Sequence, residues 1–416
     1  MIKEKSTVPR LRFPGFTDAW KQRKLGEVAD FSIKTNSLSR DKLSSYFYEV
    51  QNIHYGDILT KYDAILDVCN KELPSIIGST ISDFVDALLI EGDIVFADAA
   101  EDSTVGKAVE VRNFKGKNVV SGLHTIVARP KVSYAPYYLG YLINSTAYHN
   151  QILPLMQGTK VSSISKANLK STTVVFPTLP EQEVIGSFFS DLDQLITLHQ
   201  RKLDDVKELK KALLQKMFPK GNGNDFPELR FPEFTDAWKQ RKLGEYFVER
   251  LECSAEGELL SVTISDGVRR FSELDRKDNS SEDKTKYKVL KQGDIVYNSM
   301  RMWQGASGYS IYDGIVSPAY TVLIPTYLSY ALFFSYLFKR SSSLQIFQVN
   351  SQGLTSDTWN LKYKPFSNIV FPAPTLPEQE AIGSFFSDLD QLITLHQRQL
   401  DHLKLLKKAL LQQMFI

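Results

Sequence analysis

Three side chains suited to reading the edges of DNA bases lie close together in the second half of the chain. The segment Asn298-Ser-Met-Arg-Met-Trp-Gln304 contains Asn298, Arg301 and Gln304. An amide pairs a donor with an acceptor and a guanidinium presents two donors, so each can make two hydrogen bonds to one base. Trp303 could stack on DNA or wedge between bases, although a tryptophan more often lines a core or a pocket.

The candidate contacts form two loops in each half of the chain. A strand loop follows a Gly-Asp turn and a β-branched run that predict a buried strand; it covers residues 98–107 and 298–304. A closing loop precedes the last predicted strand of each half, at Gly158–Ser163 and Asn350–Thr355, and its small polar residues suit close backbone approach to DNA. Besides the three residues above, the predicted contacts in these loops are Lys107, Lys160, Ser162, Ser163, Ser351 and Gln352.

Charge is distributed unevenly along each half. Residues 28–102 hold 5 Lys and Arg against 14 Asp and Glu, whereas residues 103–177 hold 9 against 1. The second half repeats the switch, with 5 against 10 in residues 246–283 and 9 against 3 in residues 284–373. The recurrence favours a basic side facing DNA phosphates, although charge runs are often only solvated surface. The predicted phosphate contacts are Lys107, Arg112, Lys115, Lys117, Lys160, Lys166, Lys170, Lys286, Lys288, Arg301, Lys362 and Lys364.

Residues that could form a catalytic or metal centre are scattered along the sequence. The two cysteines, Cys69 and Cys253, lie in different halves, and the six histidines show no metal-ligand spacing. The sequence has no GxxxxGK[ST] phosphate loop. It also lacks the Pro-Pro pair expected in the base-holding loop of a DNA amino-methyltransferase. We therefore expect no catalytic residue, no metal and no cofactor in this chain.

Length and hydropathy indicate a multidomain globular protein. The chain has 416 residues, of which 43% are hydrophobic, and no apolar run approaches 18 residues. This length predicts two or three domains. The first residues, Met1-Ile-Lys-Glu-Lys5, are charged and contain no apolar stretch, so we expect a cytoplasmic protein that contacts no membrane.

The chain contains two copies of one unit. Residues 11–27 recur as 229–245 with a single change, and residues 178–218 recur closely as 375–415. The offsets are 229 − 11 = 218 and 375 − 178 = 197, so the first intervening segment is 218 − 197 = 21 residues longer than the second. Self-similarity of this kind predicts a duplicated architecture.

The intervening segments share only sparse matches. These are Gly92-Asp-Ile-Val-Phe96 with Gly293-Asp-Ile-Val-Tyr297, and Val175-Phe-Pro177 with Val370-Phe-Pro372. The order of these matches predicts one fold with two different surfaces. A structural protein would have little reason to keep its scaffold and diversify its globules, whereas a reader of two targets would.

The repeats predict a succession of domains and helices. The boundaries are a first globular domain at 1–177 with lead-in 11–27, a central long helix at 178–219, a linker at 220–228, a second globular domain at 229–373 with lead-in 229–245, and a C-terminal long helix at 374–416.

Each repeat ends in a predicted long helix. Thr178-x-x-Glu181 and Thr375-x-x-Glu378 match a capping box, with a proline in the first turn. Apolar residues then recur at alternating spacings of three and four for more than four heptads, which predicts a coiled-coil seam. The seam residues are Ile185, Phe189, Leu192, Ile196 and Leu203 in the first helix, and Ile382, Phe386, Leu389, Ile393 and Leu400 in the second.

Helices of this length need a packing partner, and each copy can supply it to the other. A helix of about 38 residues spans roughly 57 Å and is not stable alone. We predict an antiparallel pair with a pseudo-twofold axis. The polar seam positions either set the register or extend their polar ends to solvent, and they are not expected to be ligands: His199, Lys210, His396 and Lys407. Three flanking leucines widen the apolar face, which could dock another protein's helices or be buried within the chain: Leu195, Leu209 and Leu405.

The ordered set of motifs resembles the specificity subunits of type I restriction-modification systems. The resemblance covers nearly the whole chain. It is carried by the Trp-Lys-Gln-Arg-Lys-Leu-Gly-Glu lead-in at 20–27 and 238–245, the Gly-Asp-Ile-Val run, and the Thr-Leu-Pro-Glu-Gln-Glu entry to each helix at 178–183 and 375–380. It implies an α+β protein with two target recognition domains of one fold, separated by two long antiparallel helices that form a coiled coil.

The same resemblance implies a non-catalytic, DNA-reading role. Each domain would read one half of a split site, and the helices would set the gap. The implied partners are double-stranded DNA, two modification subunits that methylate adenine with S-adenosylmethionine, and restriction subunits that use ATP and Mg²⁺. Because the domains differ, the half-sites should differ and the site should be asymmetric. Two alternatives stay open: a coiled-coil adaptor that binds only proteins, and the specificity subunit of a related system that is not type I.

Overall fold

The chain folds into two compact units. The computed structural model describes residues 8–220, 226–275, 277, 280–356 and 358–416, so the charged start at 1–5 and most of the predicted linker, 221–225, lie outside the described residues. Unit 1 consists of Met1–His199 with Gln399–Ile416, and unit 2 consists of Gln200–Arg398. Each unit contains one globular domain and a segment of both long helices. The domain boundaries drawn from the sequence keep each helix whole and stay a prediction.

Unit 1 alternates short strands with short helices before the first long helix begins. The strands are β1 Lys21–Lys24, β2 Ala29–Asp30, β3 Leu43–Ser44, β4 Val50–Ile53, β5 Ile65–Asp67, β6 Ser75–Ile76, β7 Ile94–Ala97, β8 Ala99–Ala100, β9 Ala108–Arg112, β10 Asn118–Ser121, β11 Thr125–Pro130, β12 Ser162–Ser163 and β13 Thr173–Phe176. The helices are α1 Leu25–Val28, α2 Tyr55–Thr60, α3 Tyr138–Ile143, α4 Thr146–Ile152, α5 Lys166–Ser171 and the long α6 Leu179–Lys216, whose last part belongs to unit 2.

Unit 2 begins and ends with the same elements but has fewer strands between them and no helix at the place of α2 among its described residues. Its strands are β14 Lys239–Lys242, β15 Phe247–Glu249, β16 Leu260–Thr263, β17 Gly267–Arg270, β18 Lys288–Leu290, β19 Ile295–Asn298, β20 Ser307–Tyr309, β21 Gly314–Val316, β22 Tyr320–Pro325 and β23 Val370–Ala373. Its helices are α7 Leu243–Tyr246, α8 Ala331–Phe338, α9 Ser341–Asn350, α10 Tyr363–Ser367 and the long α11 Leu376–Met414, whose last part belongs to unit 1.

The main sheet of each unit is built around the strand that the Gly-Asp-Ile-Val run predicts. The strand order is β2-β11-β7-β9-β5 in unit 1 and β15-β22-β19-β20 in unit 2. β7 is buried along its whole length, and β19 is buried except at Asn298. Both strands pair antiparallel with their neighbours in matching register. The predictions of a buried strand and of one fold for both domains are therefore confirmed.

The aspartate of the Gly-Asp pair is buried and anchors the start of this central strand. Asp93 accepts two hydrogen bonds from the guanidinium of Arg129, at 2.8 and 2.7 Å. Asp294 is bound in the same way by Arg250, at 2.8 and 2.9 Å. The preceding glycine has a left-handed φ in both units, which a side chain would strain. The ion pair recurs although the arginine comes from β11 in one unit and follows β15 in the other.

Pairing between the lead-in and the closing strand corrects one alignment made from the sequence. β1 pairs with β13 so that Lys21 lies opposite Phe176, and β14 pairs with β23 so that Lys239 lies opposite Ala373. Lys21 and Lys239 are equivalent, so the closing strands correspond at an offset of 373 − 176 = 197. The match of the two Val-Phe-Pro triplets, at an offset of 195, is therefore wrong by two residues, because the identical lead-in strands impose the hydrogen-bond register.

A buried glutamate at the start of α6 ties the long helix to the lead-in. Glu181 accepts two hydrogen bonds from the guanidinium of Arg12, at 2.6 and 2.7 Å, and one from the indole N–H of Trp20, at 3.3 Å. The helix begins where the sequence predicts, but the capping-box interpretation is wrong. The carboxylate is committed to the lead-in and does not serve the end of its own helix.

The same arrangement recurs in unit 2 and explains why two distant motifs repeat together. Glu378 accepts hydrogen bonds from Arg230, at 2.7 and 2.6 Å, and from Trp238, at 3.3 Å. The neighbouring glutamines fasten the segment that leads into α3 in unit 1 and α8 in unit 2, since Gln182 accepts from Ala135 N–H and Gln379 accepts from the corresponding Tyr330 N–H. The Leu-Pro-Glu-Gln motif thus joins three segments of each unit.

Within each unit, α6 and α11 pack antiparallel. In unit 1, Phe189 stacks on Phe415 and Asp193 pairs with Lys407 at 2.5 Å, so rising numbers in one helix meet falling numbers in the other. Tyr141 donates a hydrogen bond to the same Asp193 at 2.8 Å. Unit 2 repeats these contacts with Phe386 on Phe218, Asp390 with Lys210, and Tyr336 on Asp390. These ion pairs support the prediction that the two lysines set the helix register.

The predicted seam is buried, and part of it belongs to the globular cores. Eight of the ten seam residues are buried, and Ile196 and Ile393 are half-buried. Ile185 and Phe189 join Trp20 in the unit 1 core, so this part of the seam packs on the globule as well as on a helix. No helix in the described part of the chain is long and apolar enough to cross a membrane.

Replacing the buried glutamate should destabilise unit 1 strongly. Glu181→Ala leaves the Arg12 guanidinium without its counter-charge, so we expect a loss of about 3–5 kcal/mol in the free energy of unfolding. Urea unfolding followed by tryptophan fluorescence measures it. Glu183→Ala, on the exposed side of the same turn, is the control and should change stability by less than about 0.5 kcal/mol. Equal effects of the two substitutions would contradict this assignment.

Candidate nucleic-acid interface

The strand loop and the closing loop of unit 1 lie side by side. β8 in the strand loop pairs antiparallel with β12 in the closing loop, with Ala100 opposite Ser162 and Ala99 opposite Ser163. The N–H of Ile164 also donates to the carbonyl of Asp98 at 2.8 Å. The structure therefore brings together two segments that the sequence separates by about 60 residues.

The two loops of unit 2 are joined at the equivalent point. The N–H of Leu361 donates to the carbonyl of Ser299 at 2.8 Å, matching the Ile164–Asp98 bond of unit 1. The rings of Trp303 and Trp359 pack edge to face beyond it, with centroids 5.1 Å apart. Both units thus present one composite surface made of a strand loop and a closing loop.

Each closing loop is fastened at its base by two backbone hydrogen bonds. Gln157 and Ser163 exchange bonds of 2.9 and 2.7 Å, and Gln352 and Asn360 exchange bonds of 3.0 and 2.8 Å. A glycine with positive φ follows the glutamine in both loops. The loops are therefore held alike, but they differ in length and in side chains. A fixed base with a variable tip suits recognition of different targets.

The strand loop of unit 2 holds its three predicted base readers differently. Arg301 is exposed, and its guanidinium is open to solvent. The Oδ1 of Asn298 already accepts the Met300 N–H at 3.0 Å, which stabilises the turn. Gln304 is half-buried, with an Oε1 that has no partner among the described residues. Trp303 is half-buried and donates its indole N–H to Met300 O at 3.2 Å, which fits the pocket-lining interpretation.

The strand loop of unit 1 contributes Asp98 to an imidazole–carboxylate pair that the sequence did not reveal. His124 Nδ1 lies 3.3 Å from Asp98 Oδ1, and its ring packs on the edge of Tyr55. Burial raises the pKa of the Asp98 carboxyl above its ordinary value, and the nearby imidazole opposes that shift. His124 belongs to the turn between β10 and β11, so only the sheet brings it to the strand loop.

Several predicted phosphate contacts are occupied by other parts of the protein. The cationic groups of Lys107, Lys117 and Lys166 donate to backbone carbonyls, and Lys107 is desolvated enough that its pKa falls below the ordinary value. Arg112 pairs with buried Glu110. Lys288 pairs with Glu249, and Lys170 lies over the Phe31 ring. The predicted contacts that are exposed are Lys115, Lys160, Ser163, Lys166, Lys170, Lys286, Arg301, Gln352, Lys362 and Lys364, while Ser162 and Ser351 are half-buried.

The charge switch seen along the sequence does not produce two separate faces at these positions. Arg129 from the basic segment of unit 1 pairs with Asp93 from the acidic one. In unit 2 the arginine comes from the acidic segment and the aspartate from the basic one, since Arg250 pairs with Asp294. Cross-pairing of this kind neutralises part of each segment. The basic surface near the loops is therefore smaller than the sequence count suggests.

Two residues beside the unit 2 loops were missed from the sequence. Trp359 and Asn360 stand at the base of the closing loop, just beyond the stretch chosen for its small polar residues. The 197-residue offset between the repeats could have indicated them, because it aligns Asn360 with the predicted contact Ser163. The mistaken Val-Phe-Pro alignment hid it. Among the described residues, no group of three or more His, Cys, Asp or Glu could hold a metal ion.

Lys339 supports the end of the unit 2 strand loop from beneath. Its ammonium donates to the carbonyls of Gly305, at 2.6 Å, and Ile264, at 2.8 Å. Burial lowers its pKa to about 8, and the charge of Asp266 opposes the shift. Gly305 has a left-handed φ and closes the turn that carries Arg301. The loop is thus fixed at its far end by a half-buried cation.

Apolar side chains repeat on the outer surface of the long helices. In unit 1, Leu195 and Leu198 are 40% and 47% exposed; their counterparts in unit 2, Leu392 and Leu395, are 37% and 51% exposed. Leu209 and Leu405 are exposed too. The flanking leucines predicted to widen the apolar face are therefore not buried within the units.

Comparison with known proteins places the chain in a family. The family described as "Type I restriction modification DNA specificity domain" matches residues 17–208 and 260–405. The putative type I restriction enzyme MjaX specificity subunit of Methanocaldococcus jannaschii is 25% identical over 237 residues, covering 55% of this chain and 53% of that protein. The MjaVIII specificity subunit of the same organism is 24% identical over 279 residues, covering 61% and 64%. The match thus spans between half and two thirds of these relatives.

A solved structure shares the fold over nearly the whole chain. The S subunit of a type I restriction-modification system from M. genitalium superposes with a TM-score of 0.58 at 15% identity, covering 98% of this chain and 99% of that one. The likeness agrees with the predicted fold of two domains and two long helices.

The partly buried ammonium of Lys339 should make unit 2 more stable as pH rises above 8. Its folded pKa of about 8 lies below the ordinary 10.5, so the unfolded chain binds more protons between these values and stability increases with pH there. Lys339→Met should remove this increase. Urea unfolding at several pH values from 7.5 to 10.5 measures it, with exposed Lys211→Met as control. The same slope in wild type and Lys339→Met would refute this assignment.

Proposed function

The chain belongs to the type I restriction-modification DNA specificity family, and from that premise we propose that it is the DNA-reading subunit of such a system. In this proposal each unit reads one half of a bipartite site on double-stranded DNA through its strand loop and closing loop. The chain is not catalytic. It selects the sequence on which other subunits act.

The proposal rests mainly on the paired loops, which share a frame and differ in side chains. Both closing loops are held at their base by an equivalent pair of backbone hydrogen bonds. Each is also bonded to its strand loop at an equivalent backbone carbonyl, that of Asp98 in unit 1 and Ser299 in unit 2. On this common base unit 1 presents Lys160 and the Asp98–His124 pair, whereas unit 2 presents Arg301 and two tryptophans. Different side chains on the same frame favour two unlike half-sites, so the whole site should be asymmetric.

The helices suit a second role in assembly. Leu195 and Leu198 have counterparts in Leu392 and Leu395, and a partner present in two copies would use such a duplicated surface. We propose that two modification subunits dock there, that they bring S-adenosylmethionine, and that restriction subunits bring ATP and Mg²⁺. The helices also set the length of the unread gap between the half-sites.

Methylation mapping tests the proposed function. N6-methyladenine is mapped in the DNA of a host that carries the modification subunits, with and without this chain. We expect an asymmetric bipartite motif that is methylated only when the chain is present. Unchanged methylation, together with no preference of the assembled complex for any duplex in filter binding, would favour a protein-only adaptor instead.

Arg301→Ala should relax recognition of one half-site. The exposed guanidinium stands on a fastened loop, and a lost pair of hydrogen bonds to one base corresponds to about 1–3 kcal/mol of discrimination. We expect binding of the mapped site to weaken at one or two positions of the unit 2 half-site, as measured by fluorescence anisotropy at constant salt. Arg269→Ala, on the β16–β17 hairpin, is the matched control. Equal weakening on scrambled DNA would assign Arg301 to phosphate contact only.

A further inference from the structure

A cavity beside the unit 2 loops has the features of a pocket for one base edge. It has a volume of about 490 Å³, and its walls come from the strand loop, the turn before β22 and the segment after the closing loop. Asn360, Lys362 and Lys364 line one side, and Ser299 lines another. The cavity therefore opens where the two loops of unit 2 meet.

Most polar groups around this cavity are already paired within the protein. Lys288 pairs with Glu249 at 3.1 Å. The hydroxyls of Ser299 and Thr321 bond each other at 2.9 Å, and the hydroxyl of Tyr363 donates to a backbone carbonyl. These groups have little remaining need for an outside partner.

Asn360 is the exception among the lining residues. Its Oδ1 is buried and has no hydrogen-bond partner among the described residues. An unpaired buried acceptor is costly, so it favours a ligand that brings a donor. The backbone of Asn360 is fixed by its two bonds to Gln352, so this residue has a defined place at the base of the loop.

The bases differ in whether they can supply that donor. Adenine and cytosine present an exocyclic amino group in the major groove, whereas guanine and thymine present a carbonyl oxygen at the corresponding position. Held with Oδ1 as its unpaired buried atom, the Asn360 amide would accept from the amino group of the first pair and would place acceptor against acceptor with the second. The exposed ammonium groups of Lys362 and Lys364 suit the phosphates on either side of that base.

From this arrangement we infer that Asn360 selects an amino-bearing base, adenine or cytosine, at one position of the unit 2 half-site. The inference rests on the proposed function and names a specificity residue within it. The equivalent position in unit 1 is Ser163, whose hydroxyl can rotate to donate or to accept and so imposes no such choice. One position in a shared frame thus reads differently in the two units.

The test combines the substitution of Asn360 with the removal of single amino groups from the bases of the mapped site, as in a double-mutant cycle. In the complex with modification subunits, each adenine of the unit 2 half-site is replaced in turn by purine, and each cytosine by 2-pyrimidinone; both analogues lack the exocyclic amino group. Wild type should bind one of these duplexes about tenfold more weakly than the parent. Asn360→Ala should bind that duplex and the parent equally well. The analogue that shows the effect tells adenine from cytosine.

Two further variants separate a lost hydrogen bond from a damaged loop. Asn360→Asp keeps an acceptor oxygen, so it should retain the tenfold preference for the amino-bearing duplex, with weaker binding overall near phosphates. Ser163→Ala should leave that preference unchanged. Selective binding without coupling at any position would overturn the inference and leave the proposed function standing. If the complex prefers no duplex at all, both are overturned.

Discussion

The fold depends on a buried carboxylate at the start of each long helix. Glu181 and Glu378 have almost no contact with solvent, and each forms an ion pair with one arginine and accepts a hydrogen bond from one indole N–H of the lead-in. Removing one partner of such a pair leaves an uncompensated buried charge, which costs several kcal/mol. The lead-in is therefore fixed relative to the helix. Because the lead-in strand pairs with the closing strand, the same constraint places the closing strand and the loop that precedes it.

The two domains differ mainly in the side chains of their loops, whereas the central strand and the bonds that hold the loops are alike in both. The central strand begins at a buried Asp–Arg pair, and the strand loop that follows it is joined to the closing loop by a backbone hydrogen bond. Backbone bonds do not depend on side-chain identity, so the loops can exchange residues while the frame persists. A rigid frame with exchangeable loops lets one architecture read unrelated half-sites.

The long helices combine packing with a specific register. Apolar seam residues supply most of the burial, but a hydrophobic stripe alone tolerates sliding by a heptad. The ion pair of Asp193 with Lys407, and that of Asp390 with Lys210, occupies one position in each unit. The tyrosines that donate to these aspartates belong to the globular domains, so these hydrogen bonds also fix the position of each helix pair on its domain.

The sequence by itself determined the duplication, the helix starts, the buried seam, the central strand and the two loops of each domain. These features depend on local chemistry: heptad spacing, turn residues, and identity between copies at a fixed offset. The exposure of Arg301 could be predicted for the same reason, because the turn that carries it follows directly from the local sequence. Only the tertiary structure decided which side chains are already engaged. Three predicted phosphate contacts donate to backbone carbonyls: Lys107, Lys117 and Lys166. Glu181 accepts hydrogen bonds from the lead-in and does not cap its own helix. Asn360 has an unpaired acceptor beside a cavity. A hydrogen-bond partner far away in sequence is chosen by the fold, because it depends on which strands and loops the packing brings within about 3 Å of each other.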